Sequence, residues 1–314
     1  MKKYRLVITT GDTDGIGLEI SVKAINKIGR IRNTTFYLVS SSKGIKISKK
    51  LKIRSVSSFK EALAIDNSHY DVIHIILRSS PAHWVRDAAI YCKKRLFSGM
   101  VTAPLSKTEI KRSGLNFIGH TEILKSISKS KNAFMAFRGP KINIVLATGH
   151  VGIKKIVIKK SSLYSAVLAA EKLRNTLPKK KRGLPIGVIG LNPHCGEDGL
   201  IGSEEKTTFL PIIERLANRG IRVEGPLVPD VIFAKSRWTS YSVIVAAYHD
   251  QGLIPFKMLH GFSDPGVHLT LGIPFVRTSV DHGTAKDIFG ENKANPQSMI
   301  AAIGLALNLI RKGS

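Results

Sequence analysis

The chain has 314 residues, 43% of them hydrophobic, with 49 Lys and Arg against 22 Asp and Glu and a formal net charge of +27. This length and apolar content predict two folded domains and exclude disorder for most of the chain. The charge calls for an anionic partner: nucleic acid, a membrane surface or a phosphorylated metabolite.

Taken in order, the chain alternates β-branched runs with helical periods. RLVITT (5–10) reads as a strand, too short an apolar run for a signal peptide. The turn GDTDGIG leads into a helix through EISVKAINKI. Its glycines, Gly11, Gly15 and Gly17, do not have the spacing of a dinucleotide-binding fingerprint. TTFYLVS (34–40) and YDVIHII (70–76) are further strands. RDAAIYCKKRLFS is a helix and GMVTAP (99–104) a strand. INIVLATGH (142–150), PIGVIGLNPH (185–194) and SVIVAAY (242–248) continue the strands. SSLYSAVLAAEKLRNTL, EEKTTFLPIIERLANRG and PQSMIAAIGLALNLIRK continue the helices. This order predicts parallel sheets covered on both faces.

No run reaches the roughly 20 apolar residues of a membrane span. The two cysteines, Cys92 and Cys195, cannot form a disulfide framework. A soluble cytoplasmic protein is expected. Seven basic and no acidic residues lie between Ser41 and Lys60, and ten basic residues with only Glu171 lie between Ile153 and Arg182. Most read as helix faces and loop tips. Arginine is not concentrated and no RNA-binding aromatic motif is present, so a nucleic-acid function is not the expectation.

Open α/β sheets bind ligands outside the carboxyl ends of their strands. His150, His194 and His249 all fall at such ends. If the strands share a sheet, three imidazoles converge there, a donor set for Zn²⁺ or a similar divalent ion with catalytic access. Cys195 beside His194 reads as a small buried cysteine rather than a fourth ligand. His120 and Thr121 precede a helix, where backbone N–H groups favour an anion, although Thr121 could simply cap that helix. Lys257 and Arg277 are cations amid apolar segments and need an anionic partner. In VIVAAYHDQGLIPFK, Gly252 reads as the residue that lets the chain turn after the strand, and Asp250 either as an orienter of an imidazole or as a backbone cap at a turn.

ITTGDTDGIGLEI, VTAPLSK, GHTE, LATGH, GLNPHCGEDGLIGSEE, GPLVPDVIF, YHDQGLIPFK and LTLGIPFVRTSVDHGTA occur in this order. Together they resemble the 4-hydroxythreonine-4-phosphate dehydrogenase family of vitamin B6 synthesis, and the resemblance runs from the first strand to residue 285. It implies an isocitrate/isopropylmalate dehydrogenase-like fold: two α/β/α domains with mostly parallel sheets and an inter-domain cleft. The expected domains are 1–120 plus 277–314, and 121–276 with the metal ligands and the dimer interface. The resemblance implies a divalent metal (Zn, Mg or Co) on His150, His194 and His249. It also implies a phosphorylated substrate held by His120, Thr121, Lys257, His268 and Arg277, with Asp230 as proton acceptor and Lys257 in a catalytic position. NAD(P) as hydride acceptor and a homodimer with a shared active site complete the expectation. The implied reaction oxidises 4-phosphooxy-L-threonine to 2-amino-3-oxo-4-phosphooxybutyrate, which loses CO₂. Thr13, Asp14, Ala103 and His268 depart from the family pattern, and HGFSDPGVH is about two residues long relative to some members. The alternatives are a dehydrogenase for another phosphorylated hydroxy acid, such as phosphoerythronate, or for a cyclic diol, and a basic nucleic-acid-binding protein.

Overall fold

A computed structural model describes residues 3–261 and 264–313. The lengthening expected within HGFSDPGVH involves Phe262 and Ser263, which lie outside the described residues. Twelve strands occur among the described residues: β1 (Tyr4–Thr9), β2 (Thr34–Ser40), β3 (Ile53–Val56), β4 (Val72–Ile76), β5 (Gly99–Thr102), β6 (Phe134–Arg138), β7 (Asn143–Leu146), β8 (Ile186–Ile189), β9 (Val223–Leu227), β10 (Val243–Ala246), β11 (Val267–Leu271) and β12 (Val276–Ser279).

The chain divides into two units, 1–131 with 273–314, and 132–272. The first junction comes later than the expected 120/121 because helix His120–Ser128 packs on helix Pro81–Lys93 of the first unit. The second comes earlier than 276/277, so that β12 pairs with β5 in the first unit.

In the first unit the strand order is β3-β4-β2-β1-β5-β12, all parallel. Leu6, Val7 and Ile8 of β1 are all fully buried, as a strand covered on both faces requires. On one face Val7, Tyr37 and Ile73 pack with Trp84, Val85 and Ala88 of the Pro81–Lys93 helix. Helices Gly17–Ile28 and Gln297–Lys312 pack together, the latter lying against β5 and β12. In the second unit the order is β11-β6-β7-β10-β8-β9. β6 alone runs antiparallel to its neighbours. One face packs Ile144, Leu146, Ile244 and Ala246 on Leu253 and Phe256. Helices Lys160–Thr176 and Leu210–Ala217 pack against the strands β7 to β10.

Five strands did not stand out in the sequence. IRSV of β3 is an exposed edge, VEGPL of β9 holds a Gly-Pro pair, and VRTS of β12 puts an arginine in a buried strand. FMAFR and VHLTL, β6 and β11, are antiparallel partners without a long β-branched run. The basic stretches are indeed mostly exposed, with one exception. Arg174 is 8% exposed and forms a two-pronged pair with Glu171, at 2.7 and 2.8 Å, so this cation belongs to the frame.

His74 of β4 is fully buried with its Nε2 2.8 Å from Ser40 Oγ, and burial pulls its pKa down to about 4. Between that value and the ordinary 6.5, the unfolded chain binds a proton that the folded chain refuses. Stability is therefore full above pH 6.5 and falls as pH drops toward 4. The melting temperature should fall from pH 7 to pH 5, and His74→Gln should flatten that fall; an unchanged slope would remove His74 as its cause.

Candidate active site

The order β7-β10-β8 makes three parallel strands neighbours. Their exits lead to His150, His249 and His194, so the polarity of one sheet delivers three histidines to one edge. Parallel neighbours lie about 4.8 Å apart, which suits side chains that meet over a single small group. The His150 and His249 rings stand 5.2 Å apart, centroid to centroid. His249 opens helix His249–His260, and its Nδ1 lies 2.6 Å from Asp250 Oδ1. His194 Nδ1 lies 2.9 Å from Glu197 Oε1. In both cases a carboxylate takes the Nδ1 side and turns Nε2 outward, the arrangement that orients metal-binding imidazoles. As placed, no three His, Cys, Asp or Glu side chains among the described residues are close enough to hold one ion. The donor chemistry fits a divalent ion, with two rings adjacent and the third on the next strand exit.

His194 stands in a strained turn. Residues 194 to 198 all have left-handed backbone, with φ between 44° and 84°. For the four that are not glycine this conformation costs roughly 1–2 kcal/mol each. Cys195 is half-buried rather than buried, and burial and the charge of Glu205 push its thiol up. Asp230 is exposed on the short helix Pro229–Ile232, which packs against the turn 193–199.

Gly252 does not turn the chain. It lies in the second turn of a continuous helix that includes Pro255. A Cβ there would come within 2.8 Å of Ile144 and 2.9 Å of Leu146, so the glycine lets the helix lie close on the strands. Lys257 is exposed on that helix. His268 sits opposite Phe137 in the β11–β6 pair, its ring stacked at 4.8 Å and 11°.

The first unit carries the other expected residues. Helix His120–Ser128 begins at the N-cap Gly119 with no side-chain cap, so Thr121 lies in the first turn and is not the cap. His120 Nε2 is buried without a hydrogen-bond partner among the described residues. Burial first, and then the charge of Arg277, hold this imidazole well below its ordinary pKa. His120 is thus a neutral group at physiological pH. Arg277 is 2% exposed on β12, and its Nη2 donates to Thr102 Oγ1 at 2.7 Å. Burial pulls it down to about 9, the mark of a cation stripped of water. A helix N-terminus, a neutral imidazole and a desolvated guanidinium together favour an anion.

Asp12 and Lys286 are functional candidates that the sequence did not signal. Asp12 follows β1 and is 3% exposed; its Oδ1 accepts from Ser106 N–H at 2.9 Å, and its Oδ2 lies 3.2 Å from Lys286 Nζ. Lys286 also reaches Asp14 Oδ2 at 2.7 Å, a hydrogen bond that lowers the Asp14 pKa and raises that of Lys286. This pairing gives Asp14, one of the departures from the family pattern, a physical role. Asp14 could have been weighed in the sequence as half of an ion pair, but nothing pointed across the chain to Lys286.

The family model of the pyridoxal phosphate biosynthetic protein PdxA matches residues 35–306. The 4-hydroxythreonine-4-phosphate dehydrogenase of Sulfurihydrogenibium sp. is 35% identical over 327 residues, covering 98% of each chain. A protein of Oceanobacillus iheyensis, provisionally named D-threonate 4-phosphate dehydrogenase, is 32% identical over 98% of each chain. The crystal structure of the 4-hydroxythreonine-4-phosphate dehydrogenase from Klebsiella pneumoniae superposes with a TM-score of 0.75 at 27% identity, over 98% of this chain and 100% of that one.

Asp12→Ala should cost about 1–3 kcal/mol in urea denaturation, because it leaves the half-buried Ser106 amide without its acceptor. Asp12→Asn keeps that acceptor and should cost less. Equal losses for the two variants would show that the hydrogen bond is not what matters.

Proposed function

Because the chain belongs to the family of the pyridoxal phosphate biosynthetic protein PdxA, we propose that it is a metal-dependent NAD(P) dehydrogenase of 4-phosphooxy-L-threonine. The observation that carries this reading is the delivery of His150, His249 and His194 to one edge by three adjacent parallel strands. These three would hold a divalent ion (Zn²⁺, Mg²⁺ or Co²⁺), and His249 and His194 are already turned by Asp250 and Glu197. When bound, such an ion supplies Lewis-acid stabilisation of the negative charge that develops at the reacting hydroxyl.

The remaining work belongs to the chain. In this reading Arg277, His120 and Thr121 bind the phosphate, and Lys257 and His268 are its further substrate-binding residues. Fixing the phosphate orients the carbon–hydrogen bond, the main positional demand of hydride transfer. Asp230 would accept the hydroxyl proton, and NAD(P), when bound, would supply the acceptor for the hydride that leaves the substrate a ketone. The 2-amino-3-oxo-4-phosphooxybutyrate so formed loses CO₂ to give 3-amino-2-oxopropyl phosphate, the bonding pair of the carboxylate carbon passing to the ketone. We read the protein as a cytoplasmic homodimer. In support, no described helix is long and apolar enough to cross a membrane, and Leu200, Met258 and Ile153 of the second unit are 90%, 80% and 77% exposed.

A second reading has one observation in its favour. His268, one of the departures from the family pattern, is stacked on Phe137. A ring there suits a different polar end on the substrate, such as that of a phosphorylated hydroxy acid without the amino group.

NAD(P)H formation should be faster with 4-phosphooxy-L-threonine than with D-threonate 4-phosphate or phosphoerythronate; activity with the hydroxy acids alone would defeat the substrate assignment. Arg277→Met should lower kcat/KM by about 10–100-fold, the worth of a hydrogen bond to a charged group. Purified wild-type protein should hold a divalent metal that His194→Ala lacks, and equal metal content in both would refute the histidine site.

A further inference from the structure

Beyond their last paired residues the three strands β7, β10 and β8 are joined by an unusual seam. On one side the backbone continues: Ala147 N–H donates to Ala246 O at 2.8 Å, and Thr148 Oγ1 donates to Ala247 O at 2.8 Å. On the other side the ladder between β10 and β8 stops at Val245 opposite Val188. There the Gln251 side chain takes its place. Its Oε1 accepts from Ala247 N–H and its Nε2 donates to Gly190 O, both at 2.7 Å. Only one orientation of the amide satisfies both partners, so the assignment of its oxygen and nitrogen follows from the network.

The seam continues into the His194 loop. Glu205 is 2% exposed at the start of the wide helical turn 205–209. Its Oε1 accepts from the N–H groups of Leu191 and Asn192 at 2.7 and 2.8 Å, and its Oε2 accepts from Asn192 Nδ2 at 2.9 Å. The packing beside this carboxylate is tight. A Cβ on Gly190 would come within 2.9 Å of Cys195 Sγ, and one on Gly196 within 2.3 Å of Gly202 O. The strained turn 194–198 is therefore anchored at its start by a buried carboxylate.

Resting on the metal-site reading above, we propose that Gln251 and Glu205 are positioning residues that set the separation of the two strand exits that lead to His249 and His194. Gln251 is spliced between the exit that leads to His249 and the exit that leads to His194. It works because a carboxamide is a peptide group in miniature, one donor and one acceptor. A carboxylate of the same shape would turn a second acceptor toward the Gly190 carbonyl. Glu205 fixes the amides just before His194, so the left-handed turn presents its ring from a constant origin.

The test is Co²⁺ titration of the full-length protein, followed by calorimetry and by the visible absorption of the bound ion. Wild type should bind one Co²⁺ per chain, and His194→Ala should abolish that binding. Gln251→Glu should weaken it about 10–100-fold, the range for partners that orient metal ligands, and should change the absorption band. Gln251→Met serves as the second variant should the buried carboxylate prevent folding. Amide exchange should quicken at Ala247 and at residues 190–192, with the rest of the unit unchanged. If wild type fails to bind Co²⁺, or His194→Ala binds it equally, the metal reading falls and takes this proposal with it. If only the Gln251 variants match wild type in affinity and spectrum, the metal reading stands and the positioning role is overturned. Faster exchange throughout the unit would also overturn it, because it would reduce Gln251 to a general stabiliser.

Discussion

The chemistry of this chain depends on one constraint, the burial of parallel strands on both faces. A strand such as β1 or β10, with its central residues fully buried, has no face on which a polar side chain can reach water. Polar groups are pushed to the strand exits, and because the strands run the same way the exits lie together. His150, His249 and His194 share an edge for that reason, and Asp12 and Ser106 meet beyond β1 and β5 for the same reason. The exception confirms the cost. Arg277 lies within a strand and is held down to about 9 by burial, so it gains more from an anion than a surface arginine would.

What was legible in the sequence follows the same line. The apolar runs of β1, β2, β7, β8 and β10 are long or β-branched enough to be read directly, and each marks where its exit falls. The histidines were found through those exits. The α/β class, with mostly parallel sheets, was likewise legible. What could not be read depends on contacts between distant residues. Lys286 meets Asp14 across almost the whole chain. Glu205 looks like any helical glutamate until the fold buries it under Leu191 and Asn192. The helix from His249 does not show in the sequence because glycine and proline both signal a break locally, whereas close packing on Ile144 and Leu146 makes the glycine necessary.

The net charge of +27 has only a partial account in these terms. Some cations are structural, such as Arg174 bound to Glu171 and Lys286 bound to Asp12 and Asp14. Most of the others lie on exposed helix faces and loops, where they raise the local concentration of any phosphorylated solute.

The helix His249–His260 starts at one proposed metal ligand and carries Lys257 eight residues later, about 12 Å along its axis. A rod of that kind is a mechanical link. If a phosphate drawn to Lys257 displaces the helix, His249 moves with it. Linkage then requires that phosphate and metal alter each other's affinity by the same factor. Gly252 is what lets that rod lie flat on β7 and β10.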